Sequence, residues 1–153
     1  MISLSRQENE YYCGPAVLQA VLGQFSITAT QTEIAKIAGT TAETGTSTEG
    51  MTRVLEHHGL ALDAGERRTP EDIRSALASE KIVIVCWTER HLEEGHYSIV
   101  SEVSDEEITL FDPAEESRQT RMSVEEFEKR WRDPLFTKTE RWMMAVEIAQ
   151  HTP

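Results

Sequence analysis

The sequence predicts an α+β fold in which N-terminal helices pack on a largely antiparallel sheet. Apolar residues recur at helical spacing through the first half of the chain, and strand-like apolar runs follow in the second half. Helices followed by strands, rather than alternating with them, are typical of this fold class. A length of 153 residues fits one domain, and we find no repeat, low-complexity tract or Pro/Gly-rich linker. We therefore expect a single domain over residues 1–153.

Four helices are predicted in the first half. The first runs from about Gly14 to Gln24, because apolar residues stand at positions 17, 18, 21 and 22 and Pro15 suits a first turn. The second runs from Gln31 to Ala38, with Thr30 or Thr32 as its cap and Gly39 as its stop. The third begins with a capping box of Thr46 and Glu49 and ends before Gly59. The fourth runs from the Thr69-Pro70 step to about Ser79.

Strands dominate the second half. They are predicted near residues 82–87, 96–103 and 107–112, with a last strand from Trp142 to Ile148. A capping box of Ser123 and Glu126 starts a short helix that ends at about Arg130. The longest apolar run, residues 82–87, suits one buried strand, and we expect its Cys86 to be an inert core residue.

Cys13 carries the strongest chemical signal in the chain. It stands immediately before Gly14-Pro15, at or just before the start of the first predicted helix. Free N–H groups and the helix dipole favour an anion at such a position. A thiol there loses its proton more readily, and the resulting thiolate is a nucleophile. A small buried cysteine packed under a helix is the alternative that this position alone leaves open.

Three further residues complete a catalytic pattern around Cys13. Gln7 precedes Cys13 by one short loop, so its amide and the Cys13 backbone N–H can converge as an oxyanion hole. His96 begins one predicted strand and Asp112 ends the next. A thiolate nucleophile requires a base, and that base requires a group that holds its tautomer. Each residue alone has an ordinary explanation, but their joint occurrence favours catalysis.

The turn between the two strands decides whether His96 and Asp112 meet, because side chains alternate along a strand. A two-residue turn at Asp105-Glu106 would place Asp112 on the face opposite His96. A three-residue turn would pair Asp112 with Ser98 and make Asp112 a diagonal neighbour of His96, roughly 7–8 Å away at the backbone. We therefore predict an odd-numbered turn or a bulge in this hairpin.

The order of these motifs resembles the papain-like cysteine peptidases that process bacteriocin precursors, cysteine-peptidase family thirty-nine. The matching positions are Gln7, Cys13 followed by Gly-Pro-Ala, His96 within Gly-His-Tyr, and Asp112 before a proline. Residues 45–55 resemble the helix that follows the nucleophile helix in this family, and the similarity spans about residues 5–115. The resemblance implies a papain-like fold. In the best-known members the domain is fused to a membrane transporter and cuts after a double-glycine leader, and without such a fusion we expect that substrate to carry over poorly.

The residues and the resemblance together indicate a thiol hydrolase acting on a peptide or related amide bond. Cys13 would form a thioester acyl-enzyme, His96 would protonate the leaving amine, and water would release the product. No cofactor is required, and the expected partner is a peptide or protein substrate. Two alternatives stay open: a papain-like acyltransferase or transpeptidase with the same residues, and a non-catalytic module that holds a peptide. A complete nucleophile, base and orienting acid favours an enzyme over such a module.

The composition argues against several other function classes. Asp and Glu outnumber Lys and Arg by 27 to 15, for a formal charge of −12, whereas a nucleic-acid surface needs a basic footprint. The charge would attract basic peptides, although solubility is the simpler explanation. No stretch approaches the ~20 apolar residues that span a bilayer. The N-terminus lacks the pattern of a secretory signal, so we expect a cytoplasmic protein. The oligomeric state is not indicated.

Metal sites and disulfides have little support in the sequence. Two cysteines are too few for a disulfide scaffold, although a Cys13–Cys86 bridge, which would silence the nucleophile, stays open. His57 and His58 would point about 100° apart on a helix, and no zinc pattern of the usual spacing occurs. We expect no metal ion.

Overall fold

The fold consists of five helices and one six-stranded sheet in the part of the chain that the computed structural model describes, residues 2–136 and 139–148. The helices are α1 (Cys13–Gly23), α2 (Gln31–Ala38), α3 (Thr48–His57), α4 (Pro70–Ala78) and α5 (Val124–Arg130). The strands are β1 (Leu62–Gly65), β2 (Ile82–Thr88), β3 (Gly95–Val103), β4 (Glu107–Phe111), β5 (Gln119–Ser123) and β6 (Met143–Val146). None of the helices in these ranges is long and apolar enough to cross a bilayer.

The sheet is antiparallel throughout, with the strand order β1-β6-β2-β3-β4-β5. Every residue of β2 is buried, because helices cover both of its faces. Its even-numbered residues, up to Cys86, join α1, α2 and α3 in one apolar core, while its odd-numbered residues, up to Trp87, join α4 and α5 in a second core. The predicted α+β class with N-terminal helices on a largely antiparallel sheet is confirmed.

Several helix boundaries follow from side-chain caps. Thr30 caps α2, which ends at the left-handed Gly39, and Thr69 forms a reciprocal capping box with Asp72 at the start of α4. The prediction that Thr46 caps the third helix is wrong, because Ser47 accepts the Gly50 N–H instead. Thr46 is buried, and its hydroxyl bonds that of Thr40 while its carbonyl accepts the hydroxyl of Tyr97.

Two strands and one strand boundary differ from the sequence prediction. The strands β1 and β5 were not predicted, and they form the two edges of the sheet. The last strand, predicted from Trp142 to Ile148, covers only Met143–Val146. The first helix begins at Cys13, one residue earlier than predicted. The remaining predicted strands and the helix that ends at Arg130 are confirmed to within a residue or so.

A bulge in the β3–β4 hairpin sets the register near the predicted site. Ser104 donates its N–H to the carbonyl of Glu107 across a two-residue turn, the geometry that by itself would separate His96 from Asp112. The register then shifts between Val100 and Glu102, which leaves Ser101 as the extra residue. Beyond the bulge Ile99 pairs with Phe111, so Asp112 comes opposite Ser98 on the His96 face. The prediction of an odd-numbered turn or a bulge is confirmed by the bulge.

Candidate active site

The N-terminus of α1 places Cys13 at the edge of a cleft. None of the described side chains caps this helix, whose N-cap residue is Tyr12, so its first N–H groups are left for other partners. Gly14 permits the close approach of α1 to the loop before α3, because a Cβ there would lie 2.8 Å from Thr46 Oγ1. Cys13 is mostly buried, with 8% of its surface exposed, yet it lines the cleft.

The His96–Asp112 pair lines the same cleft as Cys13. His96 Nε2 and Asp112 Oδ1 are 2.6 Å apart, and both side chains are buried. Asp112 is fixed by two more donors: the Ala114 N–H bonds Oδ1 at 3.0 Å, and the Thr120 hydroxyl bonds Oδ2 at 2.8 Å. Because the Asp112 carboxylate occupies Nε2 of His96, Nδ1 is the ring nitrogen that is left to interact with the Cys13 sulfur.

The electrostatics of the pair favour a charged imidazole. Burial by itself would lower the pKa of His96, but the negative charge of Cys13, hydrogen bonds to Asp112 and Cys13, and the charge of Asp112 raise it to about 10. Burial likewise opposes ionisation of Asp112. The hydrogen bond and charge of His96, with the Ala114 and Thr120 donors, nevertheless hold the pKa of Asp112 below its usual range. An imidazolium held between a carboxylate and a sulfur is the result.

Gln7 lies beside the same cleft. Its backbone N–H donates to the carbonyl of Pro113 at 3.0 Å, which ties the N-terminal segment to the residue after Asp112. Its side-chain Nε2 donates to the carbonyl of Asn9 at 2.9 Å, and its Oε1 is buried without a partner among the described residues. An amide nitrogen carries two N–H groups, so one is left after the Asn9 bond. Gln7 and Cys13 both line the cleft.

The cleft has a volume of about 580 Å³ and is bounded by loops from three parts of the chain. Trp87 forms part of its wall, with its ring edge-on to His96 at a centroid distance of 5.8 Å. The indole Nε1 donates to the hydroxyl of Ser98 at 3.0 Å. A side-chain contact between His91 and Glu115, at 3.1 Å, joins the β2–β3 loop to the β4–β5 loop. The cleft therefore has an aromatic wall and a polar rim.

Thr120 is the residue of this site that the sequence did not indicate. It lies on the edge strand β5, eight residues after Asp112, in a segment with a single fully buried residue, Met122. Neither a motif nor a hydrophobic period marks it. Asp112 does match the turn-starting role that its sequence position suggests, since Oδ1 accepts the N–H two residues on. The same oxygen contacts His96, so the two roles coexist.

Both cysteines of the chain are free, so the disulfide that the sequence left open is not formed. Cys86 is buried in β2 as expected. Burial, with added effects from the charges of Asp133 and Cys13, raises the pKa of the Cys86 thiol well above its ordinary value. Within the described residues, no group of three or more His, Cys, Asp or Glu side chains is arranged to hold a metal ion.

A protein-family match identifies the family of this chain. The model of the Peptidase C39 family matches residues 2–141. The chain belongs to the Peptidase C39 family. It is thus a cysteine peptidase domain by family, and the resemblance found in the sequence is confirmed.

Relatives of this C39 domain come from archaea and bacteria. An uncharacterised protein of Methanothermobacter marburgensis is 35% identical over 109 residues, which cover 71% of this chain and 70% of that protein. The pediocin PA-1 transport/processing ATP-binding protein PedD of Pediococcus acidilactici is 28% identical over 125 residues, which cover 82% of this chain but only 17% of PedD.

Solved structures share the fold of this C39 domain at low sequence identity. The peptidase domain of Streptococcus ComA, a bi-functional ABC transporter, matches with a TM-score of 0.68 and 18% identity, over 95% of this chain and 98% of that one. A double glycine motif protease from an AMS/PCAT transporter, in complex with the leader peptide, matches with a TM-score of 0.70 and 18% identity. The match covers 95% of this chain and 91% of that one. A C39-like peptidase from Bacillus anthracis matches with a TM-score of 0.72 and 10% identity, over 98% of this chain and 96% of that one. These matches confirm the papain-like fold.

Proposed function

We propose that this C39 domain is an active cysteine peptidase whose catalytic residues are Cys13, His96, Asp112 and Gln7. The observation that carries the proposal is the buried His96–Asp112 pair at 2.6 Å, with a second ring nitrogen left for a cysteine at a helix N-terminus. That arrangement supports a thiolate–imidazolium pair, in which the nucleophile is already deprotonated when a substrate arrives.

In the first half-reaction, the Cys13 sulfur attacks the carbonyl carbon of the scissile amide. The carbonyl oxygen becomes negative and accepts hydrogen bonds from the Cys13 backbone N–H and the remaining Gln7 amide N–H. These two bonds lower the free-energy barrier to the attack. His96 then transfers its proton to the amine, the C–N bond breaks, and a thioester remains on Cys13. Asp112 stays ionised and holds the imidazole in position throughout.

In the second half-reaction, water attacks the thioester. His96, now neutral, accepts a proton from that water as general base, and collapse of the intermediate releases the acid and restores the Cys13 thiolate with a protonated His96. The chemistry requires no cofactor. The substrate is a peptide segment lying in the cleft, and the leader peptide bound by the AMS/PCAT protease supports a peptide in the equivalent position here.

Labelling with a library of cysteine-directed peptidyl warheads, followed by mass spectrometry, tests the nucleophile directly. We expect one adduct per chain, on Cys13, formed rapidly at neutral pH and with a preference for particular peptide sequences. Cys86 serves as the internal control, because its burial in β2 should keep it unmodified until the protein unfolds. Equal labelling of both cysteines, or of neither, would contradict the proposal. Analysis of the products formed in the presence of added amines would distinguish hydrolysis from acyl transfer, because acyl transfer would join the acyl part of the substrate to the amine.

A further inference from the structure

A second cavity, of about 380 Å³, lies beside the proposed catalytic pair and is not used by the mechanism above. We name it the Asp133 pocket, after the carboxylate in its wall. The side chains that define it are those of Thr46, Glu49, Tyr97, Asp133, Leu135 and Phe136. It belongs to the region between the start of α3 and the segment that follows α5.

Two residues of this pocket contact the immediate neighbours of the catalytic residues. The Asp133 carboxylate packs on Gly95, which precedes His96, so closely that a Cβ on Gly95 would lie 2.2 Å from Oδ2. Thr46 packs on Gly14, which follows Cys13, and a Cβ on Gly14 would lie 2.8 Å from Thr46 Oγ1. The charge of Asp133 also reaches the buried core beside the pocket, since it is one of the causes that raise the pKa of Cys86. The pocket therefore adjoins the backbone next to both Cys13 and His96.

The pocket combines negative charge with apolar surface. Asp133 accepts one hydrogen bond, from the Leu135 N–H at 2.9 Å, and Glu49 stands exposed at the rim. Among the described residues that line the pocket, none is Lys, Arg or His. Burial raises the pKa of Asp133, and the Leu135 N–H opposes this only in part. The apolar part is unusually open, because 72% of the Leu135 surface and 37% of the Phe136 surface are exposed.

We infer that the Asp133 pocket binds a lysine or arginine side chain of the substrate, at one position near the scissile bond. Such a side chain has an apolar stem and a charged head. Its stem would lie against Leu135 and Phe136, and its head would donate charge-assisted hydrogen bonds to Asp133 and, at the rim, to Glu49. The formal charge of −12 would draw basic peptides toward the protein over a longer range. The inference rests on the proposed peptidase function.

The test is a peptide library in which each position around the cleavage site carries Lys, Arg, Gln, Leu or Glu in turn. We expect wild-type protein to prefer Lys or Arg over Gln at one position, by about 10- to 100-fold in kcat/KM, the range of a charge-assisted pair. Asp133→Asn should reduce that preference to about threefold or less, because the amide keeps the acceptor for Leu135 but loses the charge. Glu49→Gln should reduce it by a smaller factor.

Asp105→Asn is the matched control, since it removes one exposed carboxylate from the β3–β4 turn, at the other end of that hairpin from His96. It should leave the preference unchanged, and thermal unfolding should show that all variants are folded. If wild-type protein cleaves peptides without a basic preference, or keeps the preference after Asp133→Asn, the inference is wrong while the peptidase proposal stands. If it neither cleaves peptides nor reacts at Cys13, both are wrong.

Discussion

Cys13 and Cys86 belong to the same apolar core, yet their surroundings differ in every respect that affects reactivity. Cys86 lies on the central strand β2, with 1% of its surface exposed, and pairs with Tyr97 of β3. Cys13 begins a helix that no described side chain caps, lines a cleft, and acts on the His96 ring. Burial raises the pKa of the Cys86 thiol well above its ordinary value, whereas Cys13 stands at a helix start beside an imidazole.

Backbone geometry, more than depth, distinguishes the surroundings of Cys13, the proposed nucleophile, from those of Cys86. Both sulfurs are close enough for the charge of Cys13 to contribute to the raised pKa of Cys86. The ladder of a sheet uses most backbone N–H groups of its strands, and burial outweighs the backbone hydrogen bond from His96 that lowers the pKa of Cys86. A helix start leaves its first N–H groups without intrahelical partners.

The largest effect is expected from replacing the nucleophile itself. Cys13→Ala should lower kcat by at least about 10⁴-fold, since a missing catalytic member leaves only the rate supplied by binding and the oxyanion donors. Peptide hydrolysis measured at saturating substrate would show the loss, and an unchanged melting temperature would show that the core is intact.

Cys86→Ala is the matched substitution. It should leave kcat within about threefold of wild type but lower the free energy of unfolding by roughly 1–2 kcal/mol, because it creates a small cavity in β2. If the two variants exchanged behaviour, with activity lost at Cys86 and kept at Cys13, the distinction drawn between the cysteines would be wrong.

The next largest effect should come from the carboxylate behind His96. Asp112→Asn should lower kcat/KM by about 10³-fold, because the imidazole loses the partner that orients it and stabilises its charge. The pH profile adds a signed test. Since Asp112 helps to raise the pKa of His96 to about 10, the alkaline limb of wild-type kcat/KM should lie near pH 10, and the variant's limb should lie at lower pH. A wild-type limb near pH 6.5 would contradict the ion pair.

Gln7→Ala should have a smaller effect that is confined to turnover. Loss of one oxyanion donor costs about 3 kcal/mol of transition-state stabilisation, or roughly 100-fold in kcat. Alkylation of Cys13 by a small haloacetamide involves no oxyanion, so its rate should stay within about twofold of wild type. A parallel loss of both rates would instead indicate that Gln7 supports the structure through its bonds to Asn9 and Pro113.

The interior of the fold could be predicted from the sequence, whereas the edges of the sheet could not. Buried strands such as β2 need apolar residues on both faces, and these form the visible run at residues 82–87. The edge strands β1 and β5 face solvent along one side, so the apolar pattern is weak: in β5 only Met122 is fully buried. The cap of α3 was misplaced by one residue because Thr46 and Ser47 have equivalent side chains, and only tertiary packing decides between them.

The candidate site was predicted as a set of residues but not as a network. Residue type and order indicated Cys13, His96, Asp112 and Gln7, and all four line one cleft. Their catalytic roles stay a prediction. The Thr120 bond to Asp112 depends on the pairing of β5 with β4, which no local pattern specifies. The need for a bulge followed from counting side-chain alternation, but its position at Ser101 did not.

That single unpaired residue has a consequence for tracing this activity through genomes. Loss of one codon at position 101 would leave all four motif residues in place and a hairpin that still pairs, yet the carboxylate would turn away from the imidazole. The interval of 16 positions between His96 and Asp112 is therefore as much a part of the signature as the residues at its ends. An alignment that permits a one-residue gap within that interval joins sequences whose chemistry differs.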